Sequence, residues 1–389
     1  MKRHLLALAV VVASHQASLS WAAACNEADR METDFGQVQS IEGEVSSGQI
    51  VDAVGWINEA PSYRYFKALV RVEPIAGQRW TLYIRDKNHR VVDVVTEKHI
   101  SATGSAWTGR IDLQSSVYFD FLATPPAAAT LQVSRLMLMP TEAINPYYSV
   151  QPGQARFVDL PNAPVAARLA GDSVGMLVGS WDNKGWCCSA VAVGPDLVLT
   201  NWHCGGAEKV LAKEQYWQQS VCDRTVFDFS WDGDGHDREF QCKEVLQIDP
   251  QTDTALLRVV PRNGNDALRP VRSWSSASTG GALAMIQHPA CRPKQLTQGG
   301  LCKTAAEKVA GSGGVKDADF SHTCDTMSGS SGAPVFDSKF RLVGLHHRGF
   351  EAKLGKCDMI NKAIRAETIV NRMNSRAVDA MGKRPVVDP

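Results

Sequence analysis

The sequence has no excess of charge of either sign: 41 Lys and Arg stand against 41 Asp and Glu. No overall field therefore draws the chain to nucleic acid or to acidic membranes, and nucleic-acid binding is not expected. Beyond the first residues no apolar stretch is long enough to cross a bilayer. There is no internal repeat and no low-complexity tract, which excludes solenoid and array architectures. From Thr33 to Pro140 there is also no constellation of His, Cys or paired carboxylates, so this part reads as a folding or binding module. What remains is an ordinary globular composition, 44% apolar over 389 residues, with room for two or three domains at roughly 150 residues each.

The N-terminus carries more information. Lys2, Arg3 and His4 precede the apolar run "LLALAVVVA", and small residues follow up to "WAAAC". A positive end, a short apolar stretch and an Ala-x-Ala site form the layout of a secretory signal peptide, with cleavage after Ala24. A membrane anchor and a lipoprotein signal acylated at Cys25 are the competing readings. Ala22 stands where lipoprotein signals usually carry Leu. In an exported chain the ten cysteines point to disulfides rather than to a reduced metal site.

Strand signals dominate the rest. "WTLYIRD" places Trp80, Leu82 and Ile84 on one face, and "VYFDFLA" does the same with Val117, Phe119 and Phe121. Turn clusters such as "RDKNHR" and "TPPAA" separate these runs, the spacing of an all-β sandwich. Residues 140–164 are rich in Pro, Asn, Gln and Gly and read as a linker. Strands resume at "VGMLVGSW", "CSAVAVGPDLVLT", "TALLRVV", "ALAMIQ" and "RLVGLHH". Helical spacing appears in "NKAIRAETIVNRM", where Ala363, Ile364, Ile369 and Val370 share a face.

Three residues stand out by context. His203 lies in "LVLTNWHCGG" after a buried-looking strand, Asp253 in "QTDTALLRVV" at the entry to another, and Ser331 in the turn "GSSGAP". Each alone reads as a structural histidine, a turn cap and a turn serine. Together they supply what a serine nucleophile needs: an imidazole to take the hydroxyl proton and a carboxylate to fix its tautomer. Gly329 and Gly332 let the backbone turn its N–H groups toward an oxyanion, and losing one such donor costs about a hundredfold or more in rate.

At these residues the chain resembles the chymotrypsin-like (trypsin-family) serine peptidases. "LTNWHC" resembles the family's Thr-Ala-Ala-His-Cys segment, "DTALLRV" its Asp-Ile-Ala-Leu-Leu segment, and "GSSGAP" its Gly-Asp-Ser-Gly-Gly-Pro. The order His203, Asp253, Ser331 is the family's order, and the likeness spans Val174 to Met373. It implies His203 as general base, Asp253 as its orienter, Ser331 as nucleophile, and the N–H groups of Gly329 and Ser331 as oxyanion hole. It also implies a disulfide between Cys188 and Cys204, closing a loop worth about 3 kcal/mol in the chain-entropy model. Cys187 beside Cys188 leaves that choice open. Cys222–Cys242 and Cys302–Cys324 are further expected pairs. A zinc site from Cys187, Cys188, His203 and Cys204 is the bland competitor. The G-x-S-x-G elbow of α/β-hydrolases is absent, because Gly332 follows Ser331 directly.

Ser330 replaces the acidic residue that switches on animal digestive members after N-terminal cleavage, so that switch cannot operate. Secreted bacterial members, including the glutamyl and lysyl endopeptidases, also lack that acid, and the chain resembles them most. With only a short stretch after the terminal helix, the PDZ domains of HtrA-type proteases are not expected. For specificity, Asp325 stands where trypsin-like members bind Lys or Arg, whereas Thr326 and His346 stand where glutamyl endopeptidases bind Glu. The basic preference is favoured. "WDGDGHDREFQCKE" fails as an EF-hand loop, with Asp237 and Lys243 where Gly and Glu belong, and reads as a polar loop. Ser312 in "GSGG" lacks the partners of a nucleophile.

The expectation is therefore an all-β chain. It comprises a signal peptide (1–24), an N-terminal β-sandwich-like domain (25–140) that is a pro-region or an accessory module, and a linker (141–170). A chymotrypsin-like double β-barrel with a C-terminal helix (171–375) and a polar tail (376–389) follow. The function expected is a secreted, extracellular or periplasmic serine endopeptidase acting on proteins or peptides, with no metal, no cofactor and no nucleic-acid partner. Surface or polymer docking through the N-terminal domain, a cut near Arg156 or Arg168, a catalytically silent binding fold and an esterase are the alternatives carried forward.

Overall fold

The computed structural model describes residues 38–57, 63–73, 79–100, 104–112, 116–124, 129–140, 148–149, 157–181, 184–206, 211–232, 238–262, 266–311, 313–349, 351–353, 356–358 and 361–389. The signal segment, Cys25, Arg156 and Ser312 lie outside the described residues.

Among the described residues nine strands build the N-terminal domain: β1 (Val38–Ser46), β2 (Ile50–Asp52), β3 (Tyr63–Glu73), β4 (Arg79–Arg85), β5 (Val91–Thr96), β6 (Ser105–Trp107), β7 (Ile111–Asp112), β8 (Tyr118–Thr124) and β9 (Thr130–Pro140). One sheet runs β1-β9-β3-β6, with β7 also on β3, and the other runs β2-β8-β4-β5. The period-2 residues meet between them: Leu82, Ile84, Phe119 and Phe121 of one sheet pack with Phe66, Val70, Leu136 and Leu138 of the other. This is the expected sandwich, each sheet hiding one apolar face on the other.

After Pro140 come β10 (Tyr148–Ser149), β11 (Val158–Asp159) and a helix over Val165–Gly171. Then follow β12 (Val174–Trp181), β13 (Lys184–Gly194), β14 (Leu197–Thr200), β15 (Val226–Asp228), β16 (Glu239–Asp249) and β17 (Thr254–Pro261). These six close into a barrel in the order β12-β13-β14-β17-β16-β15. The remainder is β18 (Trp274–Ser275), β19 (Ala282–Gln287), β20 (Gln295–Val309), β21 (Asp319–His322), β22 (Thr326–Met327), β23 (Pro334–Asp337), β24 (Leu342–Arg348), β25 (Glu351–Lys353), β26 (Lys356–Asp358), β27 (Asn361–Arg365) and β28 (Val387–Asp388). Here β23-β19-β20-β21-β27-β24 form a second ring, closed by the β23–β24 pairing. The two rings are a chymotrypsin-like double barrel, and residues of both, Val191 and Leu256 with Ile286 and Leu345, share one core.

The C-terminal region differs from its reading. Asn361–Arg365 is strand β27, paired with β21 and β24, and the helix begins at Ala366. Ala363 and Ile364 are buried because sheet pairing covers them, which overrides the helical spacing. The polar tail, residues 376–389, carries regular elements. Ser375–Ala380 is a helix capped by Asn374, and Val387–Asp388 pairs with β18.

The N-terminal domain is docked on the first barrel. In β12, Leu177 points into the barrel, while Met176 and Val178 point out and meet Leu69, Trp107, Met137 and Met139 of the sandwich. That double coverage explains why "VGMLVGSW" is apolar without alternation. Beside this contact lies a buried ionic set. Lys67 Nζ donates to Glu239 at 2.7 Å, the Arg110 amide to Glu239 at 2.9 Å and its side chain to Asp228 at 3.0 Å. Arg262, from the barrel, reaches Asp93 of the sandwich at 3.3 Å and bonds the Trp107 carbonyl. Burial opposes charge on Asp228, and Arg110 and Lys67 outweigh it, holding the carboxyl below its ordinary range.

Candidate active site

β14 ends at Thr200, and the chain turns through a short 3-10 segment, His203–Gly205. Two indoles hold this turn. Trp217 Nε1 donates to the Asn201 carbonyl at 3.1 Å and Trp186 Nε1 to the Cys204 carbonyl at 2.9 Å. In the turn immediately before β17, Asp253 adopts φ +55, a left-handed conformation rare for a residue with a Cβ. Asn201 Nδ2 secures its carbonyl at 3.0 Å. The carboxylate then meets His203 twice, accepting from the backbone N–H at 2.9 Å and facing Nδ1 at 2.7 Å. Asp253 is buried while the His203 side chain is 38% exposed. This is a carboxylate fixing one nitrogen of an imidazole whose side chain stays partly open to solvent.

The second barrel supplies the serine. Between β22 and β23, Gly329 has φ +89 and Gly332 φ +81. A Cβ on Gly329 would come within 2.6 Å of the His288 carbonyl, and one on Gly332 would strike the Ser189 carbonyl. Both glycines are therefore required by conformation and by space. Ser189 of β13 ties the barrels together here: its N–H donates to the Ser331 carbonyl at 2.7 Å and its hydroxyl to the Gly329 carbonyl at 2.9 Å. Ser331 is half-buried, whereas Ser330 is fully buried and its Oγ accepts the Met327 N–H at 3.0 Å.

Two residues absent from the sequence reading join the cluster. His347 Nδ1 lies 3.1 Å from the same Asp253 oxygen that faces His203, and its Nε2 lies 2.9 Å from Asp319. Burial works against charge on His347, but the hydrogen bonds and charges of Asp253 and Asp319 prevail and raise it to about 9. Asp253 is correspondingly held far below the carboxylate range: burial opposes this, and His203 and His347 dominate. The signal was the doubled histidine in "GLHHRG", whose second member faces the opposite side of β24 from the first.

That shift has a measurable consequence. A folded-state value of about 9 against an ordinary value of 6.5 means that His347 contributes stability fully present below about 6.5. The contribution is lost as pH rises through about 9. The urea midpoint is therefore expected to fall between pH 6.5 and 9, and this slope should flatten in His347→Gln, which cannot titrate. An unchanged slope in the variant would remove His347 from the ionic cluster.

The expected pocket residues are placed as follows. Asp325 is fully buried immediately before β22, its carbonyl accepting from Gln287 Nε2 at 2.9 Å. Thr326 Oγ1 donates to Asn361 Oδ1 at 3.0 Å. His346 is buried with its Nδ1 3.1 Å from His322 Nε2. Burial pushes both imidazoles down, joined at His322 by the cationic His347, which leaves it at about 3, and at His346 by His322 and then His347. Strand β22 is also paired by β10, Tyr148 opposite Met327 and Ser149 opposite Thr326.

Cys188 is bonded to Cys204, Cys222 to Cys242 and Cys302 to Cys324. The expected ambiguity at Cys187 resolves into a fourth bridge, Cys187–Cys291, spanning 104 residues. Cys188, His203 and Cys204 have the spacing of a metal cluster, but both sulfurs are consumed by the disulfide and offer no thiolate. Asp232, first in the rejected calcium loop, is paired at 2.7 Å with Lys294, and residues 233–237 lie outside the described set. Among the described residues no helix is long and apolar enough to cross a membrane.

Residues 188–345 match the family model of a trypsin-like peptidase domain. No curated protein sequence matches the chain. Among solved structures, the chain is similar to the inactive form of the Rv3671c protease of M. tuberculosis H37Rv, at 17% identity and TM-score 0.40, covering 60% of this chain and 100% of that one. It is also similar to the serine endoprotease from Yersinia pestis, at 18% identity and TM-score 0.40, covering 56% and 69%. The HtrA-type protease AlgW has 20% identity and TM-score 0.41, covering 55% and 63%.

Proposed function

We propose, from the trypsin-like peptidase domain matched over residues 188–345, that this chain is an exported serine endopeptidase acting through an acyl-enzyme on Ser331. The observation that carries the reading is the double engagement of His203 by Asp253, at 2.9 Å through the backbone and 2.7 Å through Nδ1. With Nδ1–H held by the carboxylate, Nε2 is the basic nitrogen. It takes the Ser331 proton as Oγ attacks the substrate carbonyl, and the N–H groups of Gly329 and Ser331 receive the oxyanion. The proton passes to the leaving amine as the peptide bond breaks, and water then hydrolyses the ester by the same steps in reverse. Export is supported by the leader-like N-terminus and by four disulfides among the described residues.

For substrate preference we propose basic side chains, bound by Asp325. The two residues that would recognise an acidic side chain are already engaged in the core: Thr326 gives its hydroxyl proton to Asn361, and His346 faces His322. Burial also holds His346 neutral, so it brings no positive charge to a carboxylate. Cleavage of a peptide library is expected to show Lys or Arg before the cut. Asp325→Ser should lower kcat/KM for those peptides by about a hundredfold or more, the effect of removing one partner of a buried ion pair. Cleavage after Glu, or basic preference unchanged in Asp325→Ser, would overturn the assignment of the pocket.

A further inference from the structure

The segment that carries Gly329 leans on a short turn, and that turn leans on the N-terminal domain. Within Pro289–Cys291, the Ala290 N–H donates to the Ser328 carbonyl at 2.6 Å. In a trans peptide the C=O and the next N–H point to opposite sides. Anchoring the Ser328 carbonyl on the turn therefore aims the Gly329 N–H away from it. The contact is close, since a Cβ on Gly329 would lie 3.1 Å from both Cys291 N and Cys187 Sγ.

The turn is not a conformation its own sequence prefers. Ala290 and Cys291 have φ +51 and +59, left-handed values that residues with a Cβ adopt in succession when the surroundings enforce them. Cys291 is enforced by its bridge to Cys187 and by Trp231, whose Nε1 donates to the Cys291 carbonyl at 3.1 Å. Trp231 is itself fixed from the other domain. Its ring meets Tyr65 edge-on at 5.0 Å, and the Arg110 guanidinium lies 4.3 Å from its centroid. Arg110 is held by Asp228 and Glu239 of the first barrel.

We infer that the N-terminal β domain is a permanent activating element of the peptidase: through Tyr65 and Arg110 on Trp231 it fixes the Pro289–Cys291 turn that aims the Gly329 N–H. This rests on the reading of Gly329 as an oxyanion donor. It supplies what the sequence lacks at Ser330, where no acid is present to order this loop by an ion pair. It also decides between pro-region and retained module. Removing the domain would uncover Trp231, Met176, Val178 and Val226, take Arg110 from Asp228 and take Lys67 from Glu239.

The test uses the full chain with Trp231→Phe, which keeps a ring but loses the N–H donor, and with Arg110→Ala. A site-specific protease sequence is inserted between Pro140 and Tyr148 in a third form. Hydrogen exchange over residues 325–333 reads the loop without requiring activity, and the rate of fluorophosphonate labelling reads the oxyanion hole. In both variants exchange there should rise severalfold and labelling slow about tenfold, a partial loss of one donor's effect, while the melting temperature shifts little in Trp231→Phe. The cut chain should co-elute as a pair and label at the uncut rate. Exchange and labelling within twofold of wild type in Trp231→Phe, or a C-terminal piece that separates and keeps full activity, would overturn the inference. If Arg110→Ala does not fold, Trp231→Phe decides. A wild type that fails to label overturns the peptidase reading instead, and the exchange result still settles the role of the N-terminal domain.

Discussion

Replacing Ser331 by alanine is expected to lower kcat about a millionfold and to abolish fluorophosphonate labelling, the size of effect seen when a serine nucleophile is removed. Its backbone role survives the change, since the Ser331 carbonyl still accepts the Ser189 N–H, and the half-buried side chain loses one atom. The melting temperature should therefore hold. The neighbours make the assignment sharp. Ser330 is fully buried with its Oγ accepting from the Met327 N–H, so it offers no alternative nucleophile. Labelling that persists in Ser331→Ala would place the chemistry elsewhere.

Asp253→Asn is expected to cost about ten-thousandfold in kcat with little change in KM, because an amide presents the wrong partner to the imidazole. Asn Oδ1 can still accept the His203 N–H. The Nδ2 group, turned toward Nδ1, makes that nitrogen an acceptor and moves the ring proton to Nε2. A base protonated at Nε2 cannot take the Ser331 proton. Here the same oxygen also faces His347, so an amide group placed there meets two ring nitrogens that the carboxylate oxygen serves together. Slow but measurable labelling should distinguish this variant from Ser331→Ala. A drop of less than tenfold would mean that Asp253 does not orient His203.

How much of this was legible in the sequence follows from which interactions are local. Strand patterns survive because period-2 burial at Leu82, Ile84, Phe119 and Phe121 needs only a neighbouring sheet. The segments around His203, Asp253 and Ser331 are short and self-announcing. What escaped is long-range. Lys67, Arg110 and Glu239 look like ordinary surface charge in a neutral composition until folding closes them on one another. Cys187 finds Cys291 across the whole first barrel. His347 is distinguished from His346 by which side of β24 it faces. The helix start differs for a related reason: Asn361–Arg365 carries helical spacing, but β21 and β24 pair with it from either side.

The adjacent bridges at Cys187 and Cys188 impose an order on oxidative folding. Cys188 closes a short span to Cys204, while Cys187 must wait for Cys291, 104 residues later, because the chain is made from its N-terminus. In that interval Cys187 is as near to Cys204 as Cys188 is. Yet a Cys187–Cys204 bond would slip β13 by one residue and turn Cys188, Ala190 and Ala192 out of the barrel they line. The mispaired sulfur is thus opposed by every apolar contact of the strand, and thiol exchange has a gradient to follow. Register proofreads connectivity: the side of β13 that is greasy inside decides which sulfur braces His203 and which is kept for the turn beneath Gly329.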